Sequence, residues 1–384
     1  MFIVDLFAGP GGWAQGLRLL DEQRAGLDVG LEWDAWACRT RAAAGYLTIR
    51  TDVAKYPVRP LLGRVRGLIA SPPCQAWSTA GRRLGLVDQP LVHQLVADLA
   101  DGRDTRAALL GACRDPRSVL AAEPMRWLHA LHAVGQPEWV AMEEVPPVLP
   151  LWRQYAAVLR KWGFSTWAGV LNSADYGVPQ TRRRAILLAS RTRRASPPEP
   201  THAAVAEPET LFGPGREPWV SMARALGWGA TDRPVPTVCA GGGPGGGPEP
   251  FPSGSRRALA NARDRGRWTH RPTDTSWWLR TNSQRHASIR RTDEPAATLF
   301  FGNRANECVW TTGSTEGTEA PEAIRITAAE AGVLQTFPRD HPWQGNKGQQ
   351  FSQVGNAVPP RLAAHLLAPL LGASFQPDDY TLAA

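Results

Sequence analysis

The chain has 384 residues and carries 43 Lys and Arg against 35 Asp and Glu, for a formal charge of +8. Roughly 100–200 residues make a domain, so two domains are expected, and the 37 glycines and 34 prolines fall short of the share that marks wholesale disorder. Cys38, Cys74, Cys113, Cys239 and Cys308 include no C-x-x-C pair, which disfavours a zinc ribbon or a disulfide scaffold; reduced thiols and no metal are expected. No apolar run approaches the ~18 residues of a membrane span, and the N-terminal MFIVDLFAGPGG has no basic leader. A cytoplasmic protein without membrane contact is the expectation.

Residues 1–190 alternate short apolar runs with helical segments, the pattern of a parallel, doubly wound α/β sheet covered on both faces. Strands are predicted at Phe2–Phe7, Leu27–Glu32, Val65–Ala70, Glu138–Glu143, Ser165–Leu171 and Arg184–Ala189. Helices are predicted at Trp13–Leu20, at Ala35–Ala44 after an N-cap Asp34, at Pro116–Ala133 and at Leu151–Trp162. From Arg191 the pattern dissolves into Pro, Gly and Arg; residues 251–291 hold ten arginines against Asp264 and Asp274, which localises the positive charge. Helical periodicity returns after Thr327-Ala-Ala-Glu330, a capping-box pattern, and again after Pro359-Pro360. An inserted domain at 191–322 would therefore interrupt a first domain made of 1–190 and 323–384.

Several segments carry chemistry. Asp5-Leu-Phe-Ala-Gly9-Pro-Gly11-Gly12 links the first strand to the first helix, where glycines admit a ligand close to the backbone and free N–H groups face it. With Ala14 and Glu32 the same turn also fits a dinucleotide fingerprint. Glu32, with Trp33 beside it, and Asp52 fall at strand ends, facing the ligand crevice of an open sheet; they suit a ribose or an adenine amine, with an indole to cover the base. Ser71-Pro72-Pro73-Cys74-Gln75 holds Cys74 out at the sheet edge, because two prolines forbid helix. Met142-Glu143-Glu144-Val145 ends another strand with two acids, of which alternation aims one at the pocket. In Gln180-Thr-Arg182-Arg183-Arg184, the same alternation puts Arg182 and Arg184 on one face, aimed together at a phosphate or a base carbonyl.

In this order, and with Gln353-Val-Gly355-Asn356-Ala-Val358-Pro near the end, these segments resemble the C5-cytosine-specific DNA methyltransferases over residues 3–190 and 325–365. The resemblance implies a Rossmann-like S-adenosylmethionine-dependent methyltransferase domain with a smaller, irregular target-recognition domain inserted before the C-terminal segment. It implies S-adenosylmethionine as cofactor, over Phe7, Ala8, Gly9, Gly11 and Gly12, with Glu32 on the ribose, Trp33 against the adenine and Asp52 and Val53 near its amine. Pro73, Asn356 and Val358 would close that pocket. It makes Cys74 the nucleophile, Glu143 the acid, and Arg182 and Arg184 contacts to the substrate base.

The implied reaction explains these residue types. A thiolate adds to carbon 6 of cytosine while an acid at N3 takes up the developing charge, and carbon 5 then becomes nucleophilic enough to accept a methyl group. Arg182, near the base's O2, is expected to favour the thiolate. The base must leave the duplex stack, and the basic loop Ser78–Leu86 is the expected lid. Double-stranded DNA is the expected partner, met by Gln75, Ser78, Arg82, Arg83, Gln180, Arg256, Arg257, Arg263, Arg265 and Arg267. A monomer of the bacterial cytoplasm, associated with the nucleoid, is expected, with restriction-modification or a phage as setting and a separate cognate endonuclease as a possible companion.

Two departures from the family pattern stand out: Glu144 replaces the usual Asn after the acid, and Asp88–Asp115 exceeds the usual connection, as an inserted helical hairpin would. A tRNA cytosine-5 methyltransferase and a catalytically weak sequence-specific DNA-binding protein are the competing readings. A nicotinamide oxidoreductase leaves the Pro-Pro-Cys segment unexplained.

Overall fold

The fold was obtained as a computed structural model, which describes residues 1–21, 27–77, 84–211, 213–227, 277–281, 288–299, 308–312 and 324–375. Its frame is a seven-stranded sheet of order β3-β2-β1-β4-β5-β8-β6. The strands are β1 Phe2–Leu6, β2 Asp28–Glu32, β3 Leu47–Arg50, β4 Val65–Ala70, β5 Trp139–Glu144, β6 Ser165–Asn172 and β8 Arg183–Ser190, with the two-residue β7 Gln180–Thr181 preceding the last.

Both faces of this sheet are buried, as the continuous apolar runs require. Val4, Leu68, Val140, Met142 and Leu187 join a core with Leu95, Trp127 and Trp152. Their strand neighbours Ile3, Ile69, Trp139, Ala141, Ile186 and Leu188 join the opposite core with Trp13, Leu17, Leu362 and Leu366. The second layer therefore includes helix Gly12–Leu20 and the late helix Pro360–Leu371. These two helices pack closely because Gly16 has no side chain: a Cβ there would lie 2.6 Å from Ala363 Cβ.

The doubly wound α/β architecture is present, but the sheet is mixed rather than parallel: β8 runs antiparallel to both β5 and β6. Only a 3-10 turn at Ser173–Tyr176 and the short β7 separate β6 from β8, too little chain for the helical crossover that parallel pairing demands. The expected helix Pro116–Ala133 is instead a 3-10 segment, Pro116–Ala122, followed by the helix Glu123–His132. Pro124, with no N–H to donate, is tolerated in the first turn of the second element but not inside one long helix. The segment between Asp88 and Asp115 lies in a pair of helices, Leu84–Ala100 and Arg106–Ala112. Asp88 closes it by accepting from Arg114 N at 2.7 Å, Asp115 N at 2.9 Å and Ser118 Oγ at 2.7 Å.

The insert has more order than its composition suggests. Three strands in its described part, with Ile324–Arg325 just after it, form a four-stranded antiparallel sheet in the order Ser288–Arg291, Trp277–Thr281, Val309–Thr312, Ile324–Arg325. Met222, Leu226, Leu279, Leu299 and Trp310 form its core together with Ala331, Leu334 and Val354. The capping-box helix Ala328–Val333 and a further helix, Lys347–Asn356, thus pack against the insert. The tail rejoins the central sheet only from Val358 onward.

Candidate active site

The site lies along the carboxyl ends of β1, β2, β4 and β5 and begins at the first turn. After Leu6 the chain passes through Phe7 at φ 61°, Gly9 at φ 54° and Gly11 at φ 103° before entering helix Gly12–Leu20. A phenylalanine at positive φ stores strain of a kind concentrated at ligand sites. Gly12 is required for another reason: a Cβ there would sit 2.1 Å from the Val358 carbonyl oxygen, so the tail and the turn touch backbone to backbone. Ala8 and Val358 are buried in this contact, while Asn356, at the end of the preceding helix, is exposed.

Glu32 ties the turn to β2. Its Oε2 accepts from Gly9 N at 2.8 Å and its Oε1 from Asp34 N at 2.7 Å. Burial pushes this carboxyl above the usual range, and those backbone donors pull it partly back. Trp33, beside it, is 69% exposed, an unusual position for an indole that has no use for a partner. Asp52 is half-buried, its Oδ1 accepting from Ala54 N at 3.0 Å; Val53 is buried and Pro73 half-buried.

These residues fit S-adenosylmethionine. The position over Gly9 faces nothing within 4 Å, each Glu32 oxygen keeps a lone pair for a ribose hydroxyl, and a free indole face stands next to them.

On the substrate side, Pro73 caps a single 3-10 turn, Cys74–Ala76, which sets Cys74 beyond the end of β4 at intermediate exposure. Glu143 and Glu144 end β5, beside β4, and Arg184 lies near the start of β8 on the other side. Arg184 Nε is 2.8 Å from Glu143 Oε1. Arg182 and Arg184 are both buried while Arg183 is exposed, as alternation requires. Arg182 Nη1 donates to the Gly355 carbonyl at 3.1 Å, joining the substrate side to the helix that precedes Val358.

The electrostatics differ from expectation in two respects. Burial pushes the Cys74 thiol up to about 11, outweighing Arg182, which was expected to favour the thiolate, and Arg184 beside it; the resting group is a thiol. Burial also drives Arg182 down to about 9, with Arg184 adding repulsion. Glu143 and Glu144 are both buried, and Glu144 is the largest charged influence on Cys74, ahead of Arg184 and Glu143. Glu144 Oε2 accepts from the Val145 N–H at the strand end.

A buried network beneath the turn was not foreseen. Arg41, fully buried, places Nη2 2.6 Å from Asp28 Oδ2 and Nη1 3.6 Å from Asp5 Oδ2. Its Nη1 also donates to the Ala8 carbonyl at 3.5 Å. Two carboxylates share one guanidinium, and burial followed by repulsion from Asp28 raises Asp5 well above its ordinary range. The signal was Gly30 in mid-strand, where a Cβ would lie 2.3 Å from Arg41 Nη2.

Of the residues expected on DNA, Gln75 is exposed, whereas Gln180 is fully buried on β7, which pairs with Ala296–Ala297 of the insert. That pairing withdraws Gln180 from any surface a duplex reaches in this conformation. Ser78, Arg82, Arg83, Arg256, Arg257, Arg263, Arg265 and Arg267 lie outside the described residues, as does most of the expected lid.

The chain is 24% identical to the type II methyltransferase M.DdeI of Desulfomicrobium norvegicum, over 95% of this chain and 87% of that one. It is 27% identical to M.PspPI of a Psychrobacter species, over 94% and 76%. The fold superposes on the Dnmt2 methyltransferase of S. pombe with a TM-score of 0.57 at 16% identity, covering 97% of this chain and 98% of that one. The family model described as C-5 cytosine-specific DNA methylase matches residues 1–101, 109–213 and 255–371, and the chain belongs to that family.

Proposed function

We propose that the chain methylates carbon 5 of a cytosine flipped out of one particular double-stranded DNA sequence, through a transient bond between Cys74 Sγ and carbon 6. The observation that carries this reading is the meeting, at one end of the sheet, of a proline-held cysteine with Glu143, Arg182 and Arg184. S-adenosylmethionine supplies an electrophilic methyl group on a sulfonium. Phe7, Gly9, Glu32, Trp33 and Asp52 would hold it.

The residue roles follow from their environments. A thiol raised to about 11 is a poor nucleophile at rest, so binding of the base must help remove its proton. Glu143, fixed by Arg184, hydrogen-bonds the base at N3 and takes up charge as the ring is attacked. Arg182, desolvated and anchored on the Gly355 carbonyl, faces the base's O2. Once carbon 5 carries the methyl group, water takes its proton as Cys74 leaves carbon 6 as the thiolate, and the ring is restored.

Residues 191–322 serve as the recognition domain, and their arginine-rich stretch between 251 and 291 contributes phosphate contacts. The similarity to type II methyltransferases supports a place as the modification arm of a restriction system. The reading adds a monomer acting on DNA of the bacterial nucleoid, with any endonuclease separate. Bisulfite sequencing of host DNA after expression tests the reading. A single protected sequence motif is expected; unmodified cytosines throughout would refute it.

A further inference from the structure

The connection between the two helices of the inserted hairpin is the part of the first half that the family model leaves out: residues 102–108 fall between its matched segments 1–101 and 109–213. This short stretch is nevertheless tightly built. Asp98 accepts from Gln94 Nε2 at 2.9 Å, Arg103 Nη2 at 2.8 Å and Thr105 Oγ1 at 2.8 Å, which fixes the turn at the hairpin's tip. Asp104 then grips Arg106 side-on, taking Nε at 2.8 Å and Nη2 at 2.7 Å. A guanidinium held along that edge has its remaining nitrogen aimed in a set direction.

That nitrogen points at the cofactor side of the molecule. Arg106 Nη1 donates to the Ala54 carbonyl at 2.8 Å and to Glu123 Oε1 at 3.0 Å. Glu123, with 3% of its side chain exposed, also takes Arg126 Nε at 2.8 Å on its other oxygen. Arg126 in turn donates to the Val53 carbonyl at 2.7 Å and the Tyr56 carbonyl at 3.2 Å. Two arginines on one buried carboxylate thus hold three carbonyls of a single turn.

The turn in question is the one that presents Asp52. Lys55 N and Tyr56 N donate to the Asp52 carbonyl at 3.0 and 2.9 Å, and Ala54 N donates to Asp52 Oδ1 at 3.0 Å. Ala54 is therefore held on one side by Asp52 and on the other by Arg106. The other charge near Asp52, Lys55 Nζ at 3.7 Å, is 82% exposed and contributes little.

We propose that Arg106 is a positioning residue for the cofactor pocket: from the inserted hairpin it fixes the Asp52–Tyr56 turn, so that Asp52 is set before the adenine arrives. The inference rests on the reading of Asp52 and Val53 as adenine contacts. Ordering the turn in advance removes part of the entropic cost of binding and strengthens affinity without a direct contact. It also gives the insertion a purpose that its helices alone do not reveal.

The test is the affinity of the full chain for S-adenosylhomocysteine by calorimetry, with amide hydrogen exchange across residues 50–58 in the free protein. Arg106→Gln is expected to weaken binding about tenfold, the scale of one charge-assisted hydrogen bond, and to speed exchange at Ala54, Lys55 and Tyr56. In an Asp52→Ala background, itself weakened, Arg106→Gln should add nothing further. An equal loss in both backgrounds would show that Arg106 acts elsewhere and would overturn the proposal. Unchanged affinity in Arg106→Gln with a weakened Asp52→Ala would also overturn it, while leaving the pocket reading intact. Wild-type affinity in Asp52→Ala would instead remove the reading on which the proposal stands. Should Arg106→Gln fail to fold, Asp104→Asn, at a side chain 54% exposed, loosens the same grip. It should move affinity and exchange in the same direction, and wild-type values for both would count against the proposal.

Discussion

Arg184 on β8 reaches the carboxylate of Glu143 on the adjacent antiparallel strand, Nε to Oε1 at 2.8 Å, with 10% and 8% of the two side chains exposed. A charge pair this withdrawn from water loses far more when one partner is deleted than it contributes to stability when both are present. On the proposed reading its value lies in holding the Glu143 carboxyl where a base would enter.

Glu143→Gln keeps a hydrogen-bond acceptor for Arg184 but cannot exchange a proton with the base. Its turnover is expected to fall by at least about a hundredfold, with affinity for S-adenosylhomocysteine within about twofold of the parent. Transfer of labelled methyl to DNA checks the first and calorimetry the second. Parent-like turnover would take Glu143 out of the chemistry.

Glu144 makes the pH behaviour of Cys74 distinctive. Burial, with repulsion from Glu143 after it, raises the Glu144 carboxyl well above its ordinary range, so its charge reaches the thiol only at a higher pH than an ordinary carboxylate's would. As the pH climbs through that raised value it ionises and pushes Cys74 further up, so thiolate formation lags. Glu144→Gln fixes the neutral form. The variant should therefore react with iodoacetamide at Cys74 several-fold faster than the parent at the alkaline end of a pH series, with the difference shrinking as the pH falls. Equal rates across the series would show that the two groups are uncoupled.

Gly12→Ala tests the seam between turn and tail. The added Cβ would meet the Val358 carbonyl at 2.1 Å, and backbone must move on one side or the other. Overpacking of this kind costs about 1–3 kcal/mol. A lower melting temperature and at least about tenfold weaker S-adenosylhomocysteine binding are expected; an unaltered protein would mean that the seam yields freely.

Much of the catalytic half is legible in the sequence because its strands are buried on both faces and their ends carry punctuation. Leu68, Ile69 and Ala70 run into Pro72 and Pro73, and Val140 to Met142 run into Glu143 and Val145, so the segments announced both their strands and their exits. Properties set by partners distant in sequence were not legible. The antiparallel placement of β8 depends on which strand it joins, the raised thiol of Cys74 on burial, and the approach of Glu144 on a hydrogen bond to its own neighbour's N–H. The helix Lys347–Asn356 had a readable signal, the Asn346 and Gln349 capping box. Arg41 and Arg106 were hidden because a charged side chain reads as surface until the structure shows what encloses it.

The basic stretch of the insert carries a prediction that rests on charge alone. Replacing Arg256, Arg257, Arg263, Arg265 and Arg267 by Gln should weaken DNA binding and flatten its dependence on salt, by about 0.9 in logarithmic slope for each phosphate that is no longer neutralised. Anisotropy titrations between about 50 and 200 mM salt measure the slope. An unchanged slope would remove that patch from the interface.

The proposed chemistry turns on a bond between the Cys74 sulfur and the pyrimidine ring, and trapping tests that bond most directly. The chain would be incubated with S-adenosylmethionine and a long random-sequence duplex in which 5-fluorocytosine replaces cytosine, so that the final proton loss is blocked. Mass spectrometry after digestion should find the methylated fluoropyrimidine on the peptide bearing Cys74, and no adduct with Cys74→Ser. An adduct on another residue, or none with the parent chain under conditions where it methylates ordinary DNA, would contradict the account.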